Sequence, residues 1–539
     1  MTGQDSQRSE LRVFPPLLPE LTERIVGYLD RNEIAATFRC VNKAAAEQFR
    51  GPEHTTIRLS QPVPHHAFAE HWLALGAARG LTRKRREQLL SLTAASGVVS
   101  NLQVAVRAAG CPPTYAVIQA AAEGGQLTSC QWLLEQGCPT GDVQSGSGLL
   151  AAAAGGGHRH VCEWLLGLDL TWSLGGASKA ARGGHVGLME WLLERRPQLR
   201  VSAHPEEERR KMVEGVAHGC DLATLQGFWR RWASQLTSTD KEAALAAAAA
   251  GPTPDWAAKV EWLEAQGCPR AVGVTETAAA RPDADSAARL AWLRGRGYPA
   301  DRYAVQAAAR AGNLAALQHL LAEVPRPPPE HNEIAFACAA QGGHLAALQA
   351  LHAAGWQPTA EIVRAAVCSG QLHVLVWAVE ALGERVLEPS ASLFTMAAWS
   401  GNTELLAWLR ERGCAFGPDA YASAAWSGGE AALELLAALG CPMPATGEPY
   451  FTACAVGDMH TLRCLRRVGV PWGPEGFVFG TADRGASPAI LCWLLEEGCP
   501  VGDFEEARRA LRRREARGEV GLAGVMAALD EEERRRREQ

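Results

Sequence analysis

The octet "WLLEQGCP" at residues 132–139 decides how the rest of the chain is read. Taken alone it resembles a reactive site, with Cys138 held between Gly137 and Pro139 beside a carboxylate and an indole. Along the chain it proves to be punctuation. "WLEAQGCP" recurs from Trp262, "WLRGRGYP" from Trp292, "WLRERGCAF" from Trp408, "LLAALGCP" from Leu435, "CLRRVGVP" from Cys464 and "WLLEEGCP" from Trp493. Degenerate copies begin at Ala105, Trp164, Trp191, Gly227, His319, Ala350 and Trp377. Together these are 14 units spanning 388 residues in 13 steps of 27 to 36, a mean period of about 30. A period in this range marks a solenoid of stacked supersecondary units.

Each unit carries a second constant feature upstream of the octet: "AAEGGQL" from Ala121, "AARAGNL" from Ala308, "AAQGGHL" from Ala339, "AAWSGNT" from Ala397 and "AAWSGGE" from Ala424. A glycine there takes the left-handed conformation that ends a helix, and a second helix starts directly after it. Leu314, Leu317, Leu320 and Leu321 supply the apolar stripe of one such second helix. The octet glycine closes that helix and the following proline cannot continue it. The spacing therefore predicts an all-α chain of helical hairpins, the octet tryptophans buried and Cys138, Cys268, Cys441 and Cys499 acting as small apolar plugs. Eight of the 17 tryptophans open an octet, and neither a catalytic thiol nor a ligand-stacking indole has reason to be copied at every unit. Two middle stretches, 201–239 and 243–254, fit the period poorly, so a bend or inserted loop is expected there.

The bulk numbers agree with a folded array. The chain has 539 residues, 47% of them apolar, with 53 basic and 59 acidic side chains for a net charge of −6. Such a balance gives no overall pull toward nucleic acid or anionic membrane, and "RKRRE" at 83–87 and "RRRR" at 534–537 read as solvated helix faces. No apolar run approaches the length of a membrane span, and the first 16 residues read as a disordered tail without a signal sequence. Fifteen cysteines without a C-x-x-C pair suit neither a disulfide framework nor a zinc module, which points to reduced thiols and to the cytoplasm or nucleus.

The unit pattern, clearest in "AAQGGHLAALQALHAAG" at 339–355, resembles the ankyrin repeat across residues 97–505, though the T-P-L-H opening of that repeat is absent throughout. The resemblance implies an ankyrin-like helical-hairpin solenoid that holds a protein partner on its concave face, with the β-hairpins between units shortened to loops. Residues 506–539 then serve as a charged cap and tail.

Before the array stands a small helical module at 17–50, "LLPELTERIVGYLDRNEIAATFRCVNKAAAEQF" and its flanks. Pro19 and Glu20 open a helix whose apolar face is Leu21, Ile25 and Leu29, and Ile34, Phe38 and Val41 give a second stripe. The segment resembles an F-box. That resemblance implies a substrate receptor of a cullin-RING ubiquitin ligase, docking a Skp-type adaptor through Leu18, Pro19, Leu21, Ile25, Leu29, Ile34, Phe38 and Val41. The alternatives are a plain cap on the first repeat, and an ankyrin-like scaffold with no ubiquitin link. Residues 51–96 connect module and array, with an extended segment expected at 55–59 and a basic amphipathic helix after residue 80; His65 and His66 read as exposed.

No phosphate loop, H-E-x-x-H helix or G-x-S-x-G elbow occurs, and "GGGH" at 155–158 is an inter-helix turn. Arrays of this kind are sometimes grouped with sphingomyelin phosphodiesterase-related proteins, but the chain shows no matching set of carboxylates and histidines. The expectation is a binding protein, not an enzyme, with no catalytic, cofactor-binding or metal residues, protein partners and no nucleic acid.

Overall fold

The computed structural model describes residues 19–140, 148–168, 175–195, 205–326, 328, 332–387 and 390–538. All regular structure among them is helical, with no strand, and the fold is a helical-repeat solenoid. The chain divides into two compact units, one of Met1–Gly80 with Lys84–Trp172 and one of Leu81–Arg83 with Ser173–Gln539. Helices run in antiparallel pairs, from Arg83–Ala95 with Val99–Ala109 to Phe477–Ala482 with Pro488–Glu496.

Both turns of a pair are closed by the same bond pattern. In the second helix Leu127–Glu135, the amide of Cys138 donates to the Leu133 carbonyl at 3.0 Å and that of Gly137 to Leu134 at 3.0 Å, with Gly137 at φ +74°. This is the Schellman closure, and it recurs from Cys268 to Leu263, Cys441 to Leu436 and Cys499 to Leu494. First helices end in the same way, the His344 amide donating to Ala339 and that of Gln371 to Ala366. Every left-handed residue among those described is a glycine.

First helices pack on first helices of the next pair, and the alanine pairs make this close approach possible. A Cβ on Gly343 would stand 2.7 Å from the Gln371 side chain, and one on Gly312 would stand 2.5 Å from His344. The residue after one unit's turn thus covers the turn of the unit before. Polar side chains complete the seam. His373 Nε2 lies 3.0 Å from the Gly343 carbonyl, and Asn402 Nδ2 donates to the Gly370 carbonyl at 2.8 Å. Lys259, fully buried, donates to the carbonyls of Ala217 at 2.6 Å and Cys220 at 2.9 Å, satisfying groups left open at the end of the helix Pro205–Gly219.

Several expectations are corrected. The octet tryptophans are mostly half-buried, only Trp191 and Trp493 falling below a tenth exposed, because each indole lies along the seam between second helices instead of inside it. Trp229 and Trp262, for example, meet edge to face at 5.7 Å. The long middle steps hold no inserted loop among the described residues: the first helix Pro205–Gly219 has 15 residues and a 3-10 turn, Ala233–Gln235, follows its partner. Residues 55–59 contain no strand. Thr55 ends the helix Pro52–Thr55, and the buried Asn32 side chain binds the Arg58 amide and the carbonyls of Arg58 and Pro62. His65 and His66 are exposed as expected; they share the helix His65–Trp72, where His65 Nδ1 lies 2.9 Å from Asn101 Oδ1. The expected tail after residue 506 is two helices, Phe504–Glu515 and Leu522–Glu538, the latter packed on Pro488–Glu496 through Leu522, Val525 and Leu529. Residues 1–16 lie outside the described residues.

The glycine turns give a graded prediction. Gly137→Ala, with nothing within 4 Å of the added Cβ, should destabilise the chain by about 1–2 kcal/mol through the left-handed conformation alone. Gly343→Ala should cost more, since the Cβ also displaces Gln371. Equal losses in paired denaturant melts would show that the contact across units contributes nothing.

Candidate functional site

The octet position after the glycine is a packing site. Cys138, Cys268, Cys441 and Cys499 are buried and unpaired, and burial pushes their thiols up to about 11, 12, 11 and 12. They are therefore neutral and poorly nucleophilic near pH 7. The same slot holds Tyr298, Trp356 and Val470, all buried, so the position selects for apolar fill and not for sulfur.

In the N-terminal module, Val26, Ile34, Ala44, Ala45 and Phe49 form a small core with Leu29 and Phe38 packed against it. Leu21, Ile25 and Val41 are exposed, because the helix Pro19–Val26 turns Thr22 and Val26 inward instead. The expected apolar stripe is thus split, Leu29, Ile34 and Phe38 inside and the other three outside. Pro19 opens the helix, and Leu18 lies outside the described residues.

The repeat register creates a different feature. First helices bury their residues in twos: Ala304 with Val305 and Ala308 with Ala309, Leu393 with Phe394 and Ala397 with Ala398, Ala420 with Tyr421 and Ala424 with Ala425. The residue before the first pair, the one after it and the one after the second pair stand at i, i+3 and i+7, which places them on one strip that faces solvent, apart from buried members such as Gln306. From Ser173 onward, eight large apolar residues are exposed, and six of them occupy that strip: Tyr303, Ile334, Trp399, Trp426, Phe451 and Phe477. Trp399 and Trp426, 53% and 45% exposed, fill the same slot on adjacent packed helices, Ala391–Ser400 and Ala420–Ser427. Phe451 and Phe477 continue the row at 6.3 Å between ring centroids. Arg310, Arg364 and Arg484 stand on the strip as well. Arg310 donates to Cys338 Sγ, Arg364 pairs with Glu361 at 2.7 Å, and the Arg83 guanidinium lies 5.5 Å from the Trp426 ring centroid.

The row ends at a groove of about 300 Å³ between the helices Phe477–Ala482 and Phe504–Glu515, lined by Asp483, Arg484, Glu506, Arg513, Arg514 and Arg517. Arg514 is a buried staple, donating to the carbonyls of Asp483 at 2.9 Å and Ala486 at 2.6 Å and to Glu519. Arg484, Arg513 and Arg517 are exposed and enter no ion pair among the described residues. Asp483, 3% exposed, has its carboxyl pushed up to about 6 by burial, with Glu506 adding to the rise and Arg484, Arg514 and Arg513 opposing it. Elsewhere Glu430, Glu434 and Cys464 come together, but Arg467 Nη2 bridges the two carboxylates at 2.9 and 2.8 Å, making this an ion-pair network across units.

No family model matches the chain and no curated protein matches it. Among solved structures, it is similar to the pentatricopeptide repeat protein PPR10 from maize, at 15% identity and a TM-score of 0.22, covering 99% of this chain and 100% of that one. Two structures of PPR10 with an 18-nt psaJ RNA element, one of them carrying three cysteine-to-serine changes, match at 12% identity and a TM-score of 0.27, covering 98% of this chain and 91% of each. Those solved structures are pentatricopeptide repeat proteins, not ankyrin repeats, and no family model supports an F-box. The expected family assignment is therefore corrected. With it go the expectations that hung on it: the protein-binding scaffold with or without a ubiquitin link, the Skp-type adaptor, and the exclusion of nucleic acid. A likeness this slight transfers no function, and only this chain's own residues can supply one.

The sequence carries a signal for the strip that the octet period does not use. In "AAWSG" at 397–401 and 424–428 the alanines and the glycine serve the turn, while the tryptophan stands outside the octet and has no packing role to fill.

Cys138→Ala should change stability by no more than about 1–2 kcal/mol, as for trimming a small buried group, and leave binding intact; a binding loss at unchanged stability contradicts the packing role. Asp483 is raised from 3.8 to about 6, so the folded state holds its proton longer and stability falls as pH rises across that interval. Asp483→Asn should remove that slope, worth at most about 3 kcal/mol, in melts taken between pH 4 and pH 7.

Proposed function

We propose that this chain is a non-catalytic binding protein for single-stranded nucleic acid, gripped along the first-helix strip of the second unit. The observation that carries the reading is the confinement of exposed aromatic side chains to one register slot set, on consecutive helices, with arginines interleaved and a basic groove at the end. Exposed apolar side chains gathered in one place mark an interaction surface. Aromatic faces accept any base by stacking, worth about 1–3 kcal/mol per base, and arginine supplies both phosphate pairing and cation–π contact. A net charge of −6 does not oppose this, because the field at the strip is set locally by Arg310 and Arg484 with the groove arginines, not by the total. A reducing compartment, cytoplasm or nucleus, suits the fifteen unpaired cysteines.

The test is equilibrium binding of internally labelled RNA and DNA 20-mers to the full chain, in rising salt. Binding should weaken with salt, and Trp399→Ala and Trp426→Ala should each cost on the order of tenfold with the helical signal unchanged. Failure of both tryptophan changes to affect binding, or absence of binding to either polymer, rejects the proposal; capture of a protein through the same tryptophans would make the strip a protein-docking face.

A further inference from the structure

The groove between Phe477–Ala482 and Phe504–Glu515 is more than an extension of the strip. We infer that it is a seat for a terminal phosphate monoester of the bound strand, held by Arg484, Arg513 and Arg517. This inference rests on the reading of the strip as a nucleic-acid surface.

Arg484 belongs to both features. It occupies the slot that Trp399 and Trp426 hold on their helices, the residue after the second buried pair, which on its helix is Ala482 with Asp483. No further first helix follows among the described residues, because Phe504–Glu515 and Leu522–Glu538 close the series. A strand that terminates at this end of the strip would therefore present its terminal group where the arginines converge. Arg513, in the last turn of Phe504–Glu515, and Arg517, in the turn that follows the helix, both line the groove. None of the three is consumed by an ion pair among the described residues, unlike Arg508, which is tied to Glu505, Asp530 and Glu533 on the neighbouring face.

The charge count favours a monoester over an internal diester. The three guanidinium groups face the two carboxylates of Asp483 and Glu506, with Arg514 already engaged by Glu519. An internal phosphate brings a single negative charge to a groove that already contains carboxylates. A terminal phosphate brings roughly −1.5 to −2 near neutral pH and three acceptor oxygens, enough to engage three guanidinium groups at once. The volume of about 300 Å³ is at the small end for ligand sites, suited to a phosphate and its ribose.

The experiment compares one internally labelled RNA 12-mer in three forms, with a 5′-phosphate, with a 3′-phosphate and with hydroxyls at both ends, on the full chain. Wild type should bind one phosphorylated form about tenfold more tightly than the hydroxyl form. The double change Arg513→Ala with Arg517→Ala should erase that gain, bringing the phosphorylated and hydroxyl forms to equal affinity, with the thermal melt unchanged. Trp399→Ala should weaken all three forms and preserve their ratio. Equal binding of the three forms by wild type, or a gain that survives the double change, overturns the terminal-phosphate seat and leaves the strip reading standing. Absence of binding by all three forms overturns both. Inorganic phosphate is the remaining arm: if millimolar phosphate removes the gain and binds the strand-free chain as strongly, the groove is a free-phosphate site and the strand-end assignment falls.

Discussion

Glycine in the left-handed conformation is the constraint on which this structure depends. A residue with a side chain is strained there, and the chain needs that conformation at both ends of nearly every hairpin. At Gly137 the requirement is purely conformational, since a Cβ would meet empty space. At Gly343 it is conformational and steric together, because Gln371 of the following unit rests on the turn. The second kind of turn converts a local closure into a contact between units. Stacking order and helix closure are thus specified by the same residue, which is why a chain with little aromatic content and many alanines can hold a long array.

That closure also fixes what each first helix shows to solvent. With the turn pinned and the alanine pair pressed on the next helix, the remaining residues have no rotational freedom about the helix axis. The slot after the second buried pair is exposed in many pairs, at Glu123 in the first unit and at Arg182, Arg310, Gln341, Trp399, Trp426 and Arg484 in the second, and half-buried at Gly155, Ala250 and Cys368. A packing rule shared by all pairs therefore leaves a row of positions unconstrained by packing. The residues found there vary freely in type, as expected where recognition rather than folding selects them.

The fold is legible in the sequence because its determinants are periodic and local. The octet glycines and the alanine pairs announce helix ends and close faces without reference to anything distant. What the sequence leaves open is whatever depends on the third dimension. The octet indoles are expected inside because they recur, yet most lie half-buried along the seam between second helices, several with an arginine over the ring. Spacing assigns Leu21 and Ile25 inward, while Thr22 and Val26 take that place, since a helix of eight residues leaves the choice between adjacent faces to the packing of Ile34 and Phe49 against it. The groove arginines look like a solvated run because Arg484 is far in sequence from Arg513 and Arg517, and only the pairing of the two helices brings them together.

Charge arrangement gives the strip its chemical direction. The slot before the first buried pair holds Glu361, Asp419 and Glu448 as well as Tyr303, Ile334 and Phe477, while Trp399, Trp426 and Arg484 take the slot after the second. On the proposed reading, a polyanion crossing Asp419 and Glu448 would be pushed toward the side of Trp399 and Trp426. Arg364 sits between the two and is neutralised by Glu361, so it adds little pull midway. The uncompensated positive charge is therefore concentrated at the groove. On the proposed reading, a strand whose charged end is held at that point would have its end set which bases meet Trp399 and Trp426, so that the end of the array would determine the register of binding along its length.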